Sequence, residues 1–560
     1  MLSDIEISQS IDLKPIHDLA REIGILEQEI HPFGSYKAKI SIDLLKRLEK
    51  SQNGRLVLVT AMTPTPGGEG KTTTAIGLSQ ALNRMGTSSI LSLREPSLGP
   101  IFGVKGVGTG GGYSQVVPME DINLHFTGDI SAVSAANNLL SALLDNMIYH
   151  DNPLKVDANK ILWRRCMDTS DRELRNIVVG VGEETTGITR SERFIISAAS
   201  EIMAILCLAT SVNDLKERLG RILVAFTFDG KPVFARDLKA HTGMASLLYE
   251  AIHPNLVQTT EGTPAFVHGG PFANIAHGTS SILATRMALK LSEIVITEAG
   301  FGSDLGAEKF FNIPSRQGNL PVDAVVIVAT LRALRYHGGS KRRDMATPNL
   351  QRMKDGIPNL MKHVDNIKKF GIKPVVALNV REGDSTEEME FLRSYLTERN
   401  ILFAITDCHA RGGEGAKDLA NVVLNTENMN DDSPTNNQEL YSIDLPLEEK
   451  VGTITREIYG LDHLVFSRKA RTKMGQLDPL NVNGLPVCMA KTQYSLSNNP
   501  KARCIPDPTA PCTITDITMS NGAGFVVVYT ESINLMPGLP KHPRAEKLDI
   551  GPDGMLKGLG

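Results

Sequence analysis

The densest chemical signal in the chain is Thr63-Pro64-Thr65-Pro66-Gly67-Gly68-Glu69-Gly70-Lys71-Thr72. Closely spaced glycines let successive backbone N–H groups turn inward on an anion, and a helix N-terminus behind them adds its positive dipole end. With the spacing of a P-loop, Lys71 reaches the β- and γ-phosphates of a nucleotide and the Thr72 hydroxyl sits on Mg²⁺. Thr65, Pro66, Gly67, Gly68, Glu69, Gly70, Lys71 and Thr72 therefore form the expected nucleotide-binding set. The usual pattern begins with Gly, whereas Thr65 stands there, so a glycine-rich turn with an incidental lysine is the alternative. The flanks favour the P-loop. RLVLVTAMTPT at 55–65 reads as a buried strand, and KTTTAIGLSQALNRM at 71–85 reads as a helix closed by Gly86.

A second candidate follows the next strand, SSILSL at 88–93: Arg94-Glu95-Pro96-Ser97-Leu98-Gly99-Pro100. Ligands of open α/β sheets sit beyond the carboxyl ends of the strands, which brings Arg94 near the P-loop. Its planar guanidinium suits a carboxylate or an acyl phosphate, because it donates two parallel hydrogen bonds. A surface salt bridge to Glu95 is the other reading. GVKGVGTGGG at 103–112 is a second anion nest, a flexible lid or a linker. His125, His268 and His277 read as active-site or turn-stabilising histidines, since their spacing does not suit a metal site. Glu298-Ala299-Gly300-Phe301-Gly302-Ser303-Asp304 ends another strand. It supplies a carboxylate for Mg²⁺ or the substrate, with Asp304 the metal candidate, or it merely turns the chain.

These residues need a scaffold. EIVITEA (293–299), AVVIVATL (324–331), PVVALNV (374–380) and ILFAIT (401–406) are continuous apolar runs, as expected of parallel strands covered on both faces. The expected fold is α/β: a P-loop NTPase-like, doubly wound, mostly parallel sheet with additional smaller α/β domains. The expected division is 1–360 for the nucleotide domain, 361–475 for a smaller acceptor-side domain and 476–560 for a C-terminal unit. Residues 1–50 read as helical, and the polar stretch 425–440 reads as a loop or linker.

At 560 residues the chain exceeds one ordinary core. A net charge of -4 implies no broad basic surface, so no nucleic-acid partner is expected. Six scattered cysteines without a CxxC pair fit free thiols in a reducing cytosol. The N-terminus lacks the basic and apolar regions of a signal peptide. FIISAASEIMAILCLATSV at 194–212 carries Glu201 and small polar residues, so a buried helix is expected and not a membrane span.

TPTPGGEGKTTTAIGL, REPSLGP, VPMEDINLHFTGD, EGTPAFVHGGPFANIAHG, EAGFGSDLGAEKFF, KTQYSLS and GFVVVYTESINLMPGLPKHP run in order through almost the whole chain. Together they resemble the signature blocks of formate–tetrahydrofolate ligases. The resemblance implies a cytoplasmic homotetramer that uses Mg-ATP, a monovalent cation (K⁺ or NH₄⁺), formate and tetrahydrofolate. It implies Lys71, Arg94, Glu95 and Asp129 as catalytic residues, with Arg94 holding formate and formyl phosphate. It places Thr492, Gln493, Tyr494 and Ser495 near the nucleotide.

The chain departs from the family on the acceptor side. Where the family stacks a Phe and a Trp on the pterin, Arg381 and His409 stand here, within Asn379-Val380-Arg381-Glu382-Gly383-Asp384-Ser385 and Cys408-His409-Ala410-Arg411-Gly412-Gly413-Glu414-Gly415. Ser131 likewise replaces the family's histidine after Thr127-Gly128-Asp129. Arg and His both stack on flat heterocycles. Transfer to a different acceptor therefore stands as an alternative to ordinary ligase activity, and a non-enzymatic nucleotide-binding module as a third reading. Arg94 argues against the third. After ALNV the chain reads REGD, not Asn-Lys-x-Asp, so adenine is expected and not guanine.

Overall fold

The computed structural model describes residues 2–103, 107–182, 187–426, 437–531 and 533–559. Residues 104–106 of the glycine-rich stretch and 427–436 of the expected linker lie outside the described residues.

One twelve-stranded sheet organises the chain. Its strands are β1 (Ile30–Pro32), β2 (Ala38–Ile40), β3 (Arg55–Ala61), β4 (Ser89–Leu93), β5 (Gly110–Gly111), β6 (Ser114–Val117), β7 (Asn255–Thr259), β8 (Pro264–Val267), β9 (Ile294–Glu298), β10 (Ala324–Ala329), β11 (Pro374–Asn379) and β12 (Leu402–Thr406). The spatial order is β1-β2-β7-β8-β4-β9-β3-β10-β11-β12, with β6 paired to β7 and β5 to β6. From β8 to β12 the pairing is parallel throughout. The four apolar runs of the sequence are β9 to β12.

Alternate side chains of β3 serve two cores. Val57 and Val59 pack with Ala75, Ile76 and Leu78 of α1 (Lys71–Arg84). Leu56 and Leu58 share the opposite core with Leu283 and Met287 of α2 (Ile282–Leu291). Both faces are thus covered, which is why a continuous apolar run was needed. Helix α1 ends as expected: Gly86 adopts φ +86°, its N–H donates to Asn83 O, and the Thr87 N–H donates to Leu82 O. This pair of bonds satisfies two of the carbonyls that a helix end leaves open.

β11 and β12 lie beyond the expected division near residue 361, and they pair in register with β10 and extend the main sheet across it. A cut at 476 separates His463–Phe466 from its parallel partner Pro511–Ile514. The smaller sheets are instead local to 156–234 and to the C-terminal third. The first fifty residues contain short helices (Asp4–Gln9, Ile16–Glu22, Asp43–Arg47), but β1 and β2 lie between them.

The apolar stretch at 194–212 contains the short helix Glu201–Leu208, buried from Ile202 onward. Among the described residues no helix is long and apolar enough to cross a membrane. Glu201 accepts hydrogen bonds from the N–H groups of Gly522 (2.7 Å) and Ala523 (3.3 Å), and burial pushes its carboxyl up to about 7. The unfolded chain loses that proton near the usual glutamate value, so the native state binds more protons between about pH 4.5 and 7. Stability from this group therefore falls as pH rises through that window. Glu201→Gln keeps the acceptor oxygen and removes the charge. Its melting temperature should gain on wild type between pH 5 and 7.5, by the equivalent of up to about 3 kcal/mol. A pH-independent difference would refute the assignment.

Candidate active site

The chain leaves β3 toward β4 on one side and later returns to β10 on the other, so the loops at this carboxyl edge diverge and open a crevice. Five adjacent strand ends deliver polar groups there. They are the glycine-rich loop after β3, Arg94 after β4, Glu298 ending β9, Thr330 after β10 and Asn379 ending β11.

Within the loop, Gly68 and Gly70 take φ +71° and +76°. A side chain at Gly70 would place its Cβ 2.4 Å from Asn379 Nδ2, so a larger residue would have to displace the Asn379 amide as well as adopt a left-handed backbone. Gly70 begins α1 without a side-chain cap. The consecutive backbone N–H groups from Glu69 to Thr73 have no hydrogen-bond partner among the described residues. Such a row of amides at a helix start is an anion cradle. Glu69 does not oppose it. Its Oε1 accepts from the Thr65 N–H (2.7 Å) and hydroxyl (2.8 Å), and its Oε2 accepts from the Thr330 hydroxyl. The carboxylate closes the loop on itself, so what Glu69 offers an anion is its amide. Pro66 has no N–H, and the Gly68 N–H is used by Thr65 O (3.1 Å).

Lys71 and Thr72 enter the crevice from the first turn of α1. The Thr72 hydroxyl donates to Glu298 Oε2 at 2.8 Å, and Arg94 Nη2 lies 3.6 Å from Glu298 Oε1. Glu298 thus stands between the threonine and the arginine. Arg94 forms no ion pair with Glu95 among the described residues, which removes that alternative. Arg94 Nε is buried without a partner. Gly300 makes room for the guanidinium: a Cβ there would lie 3.2 Å from Nη1 and 2.4 Å from the Ala273 Cβ. Burial pushes the Lys71 ammonium below the usual lysine range, opposed by Glu298 and Glu69 and reinforced by Arg94. Two cations, one carboxylate, one hydroxyl and a row of free amides make a site suited to holding a charged, phosphate-like anion.

The sequence profile of the formate–tetrahydrofolate ligase family matches residues 2–560. The chain belongs to this family. The family is one of ATP-dependent ligases joining formate to tetrahydrofolate.

The remaining expected residues are placed unevenly around this centre. Glu95 is buried, and its Oε2 lacks a partner. Burial, then Asp129 and Asp168, push its carboxyl well above the usual range, against Lys39. Asp129 is held by Lys39 Nζ (2.6 Å) and Asn255 Nδ2 (2.7 Å), so it anchors a buried polar cluster. Asp168, which pattern reading missed, accepts from Ser97 Oγ (2.6 Å) and the Leu98 N–H (2.9 Å). His268 is structural: Nε2 donates to Ala251 O (2.7 Å), which can only accept, leaving Nδ1 for the Ser281 hydroxyl (2.7 Å). His277 is buried with neither ring nitrogen partnered, and burial with Arg94 nearby lowers it to about 3. His125 is exposed.

Asp304 is not the partner of Thr72. Its Oδ2 lies 2.8 Å from Lys491 Nζ, both side chains being buried. Lys491 also donates to Thr492 O (3.0 Å) and to Ser495 O, curling the ligase block Thr492–Ser495 around its ammonium. The Lys491–Asp304 pair thereby docks this block on the segment after β9. Thr492 and Ser495 are buried, Gln493 is half-buried and Tyr494 is exposed.

Arg381 and His409 do not stand as a free pair of flat surfaces. Arg381 Nη2 donates to Gly68 O of the glycine-rich loop at 3.3 Å. His409 Nε2 lies 3.7 Å from Asp4 Oδ1, and its carbonyl accepts the Tyr113 N–H at 2.9 Å. The Asp4 carboxylate holds the His409 ring above the usual histidine range. Glu298, Thr330 and Asn379 share one signal: each is a polar residue at or just past the carboxyl end of a parallel strand.

Proposed function

We propose that the chain activates formate as formyl phosphate and passes the formyl group to tetrahydrofolate. The observation that carries this reading is the row of unpartnered amides from Glu69 to Thr73, facing Lys71, Thr72, Glu298 and Arg94. The amides and Lys71 hold the β- and γ-phosphates of ATP. The Arg94 fork binds both formate oxygens and aims one at the γ-phosphorus. That oxygen–phosphorus bond forms as the bond to the β-phosphate oxygen breaks, and ADP leaves. Nitrogen 10 of tetrahydrofolate then attacks the formyl carbon, loses its proton, and phosphate departs. Lys71 and Arg94 offset the negative charge on both leaving phosphates.

The Thr72 hydroxyl and Glu298 carboxylate, 2.8 Å apart, are an oxygen donor pair of the kind that holds Mg²⁺ beside phosphates. A bound Mg²⁺ would supply charge neutralisation there.

A second reading rests on Arg381 and His409, both engaged elsewhere: the acceptor is something other than a reduced pterin. Positional isotope exchange in ATP, dependent on formate, tests the first half-reaction. Chromatographic detection of 10-formyltetrahydrofolate tests the second. No formate-dependent exchange would sink the proposal, and exchange without formyl transfer to tetrahydrofolate would favour the second reading.

A further inference from the structure

Two side chains from the end of β11 take hold of consecutive carbonyls in the glycine-rich loop. Asn379 Nδ2 donates to Glu69 O at 3.0 Å, and Arg381 Nη2 donates to Gly68 O at 3.3 Å. Asn379 ends the strand and Arg381 lies two residues on, just past it, and both side chains reach the same loop. In a trans peptide the N–H lies opposite the C=O. The Gly68 carbonyl shares its peptide with the Glu69 N–H, and the Glu69 carbonyl shares its peptide with the Gly70 N–H. Drawing both oxygens toward β11 turns both N–H groups away from it, toward the side of β3 that carries β9 and β4. Thr72, Glu298 and Arg94 meet on that side.

The holding arm is itself braced. The Arg381 N–H donates to Asp384 Oδ2 (2.9 Å), and the Asp384 N–H returns to Arg381 O (3.1 Å). Asp384 Oδ1 lies 3.5 Å from Arg335 Nη2, and Arg335 is buried against Glu388. A second guanidinium borders the loop: Arg332 Nη2 lies 3.7 Å from where a Cβ on Gly67 would sit.

We propose that Asn379 and Arg381 orient the Glu69 and Gly70 amides toward the nucleotide phosphates, making Arg381 a positioning residue for ATP and not a platform for the acceptor. This rests on the reading of the loop as the phosphate site. The departure of residue 381 from the family's Phe then strengthens the nucleotide half of the site.

The test uses the full chain and the variants Arg381→Phe, Arg381→Lys and Asn379→Ala. ATP and ADP dissociation constants are measured by calorimetry, beside KM for ATP and for tetrahydrofolate, with melting temperature as a fold control. Loss of a charge-assisted bond at a half-exposed site should weaken ATP binding about five- to tenfold in Arg381→Phe. KM for tetrahydrofolate should move less than about twofold, since no acceptor contact is lost. Arg381→Lys should recover part of the loss, and Asn379→Ala should shift ATP binding in the same direction as Arg381→Phe. Unchanged ATP binding in Arg381→Phe overturns the inference, as does a change confined to tetrahydrofolate. If the wild-type chain itself binds no ATP, the phosphate-site reading falls first and takes the inference with it.

Discussion

Lys71→Ala should reduce formate-dependent ADP formation by about three orders of magnitude, equivalent to about 4 kcal/mol of lost transition-state stabilisation. The lysine stands at the first turn of α1 among unpartnered amides, facing Glu298 and Arg94. In the proposed reaction charge spreads over the transferred phosphoryl group and the departing β-phosphate as formate attacks, and a fixed ammonium interacts more strongly with that state than with bound ATP. The fold should tolerate the change. Lys71 Nζ makes no hydrogen bond or ion pair among the described residues, and burial already disfavours its charge. The variant's melting temperature should therefore match or exceed that of wild type without ligand. Steady-state kinetics and calorimetry with ATP check both parts. Near-normal turnover with ATP bound would remove Lys71 from the mechanism, and a collapsed melting temperature would make it structural.

Arg94→Lys tests the carboxylate site. The substitution keeps one positive charge and removes the planar fork, whose Nη2 faces Glu298 and whose buried Nε has no partner. With ATP held on the loop amides and Lys71 as proposed, its dissociation constant should change by no more than about threefold. Formate-dependent isotope exchange should fall by about a hundredfold, because an ammonium holds one oxygen of formate but does not align both for in-line attack. KM for formate should rise with it. If ATP affinity falls in parallel, Arg94 serves the nucleotide and the formate site lies elsewhere.

Much of the scaffold was legible from local pattern. Continuous apolar runs can only be stable with both faces covered, so β9 to β12 and β3 announced a parallel sheet. The loop at 63–72 and its helix were equally legible, since glycine conformational freedom and the Lys-Thr spacing act within ten residues of chain. Arg94 was placed by the rule that strand carboxyl ends share an edge.

What the tertiary structure decided depends on which distant strands become neighbours. Within the segment from Glu298 to Asp304, sequence reading took Asp304 as the metal carboxylate beside Thr72. Pairing β9 directly beside β3 puts Glu298 on the Thr72 hydroxyl, while Asp304 is spent on Lys491, nearly two hundred residues away. The joining of β11 and β12 to β10 across residue 361 is of the same kind: it is backbone pairing that side-chain composition does not announce. Arg381 shows it most directly. Within its own segment, set against the family resemblance, it reads as a replaced aromatic residue and an altered acceptor pocket. Only the adjacency of β11 to β10, and of β10 to β3, carries its guanidinium to Gly68 O. Helical and strand periodicities are set by neighbours a few residues apart, and they fix which face of an element is buried. The order of strands in a sheet is a property of the whole chain, and the partners of a polar side chain at a strand end follow from that order.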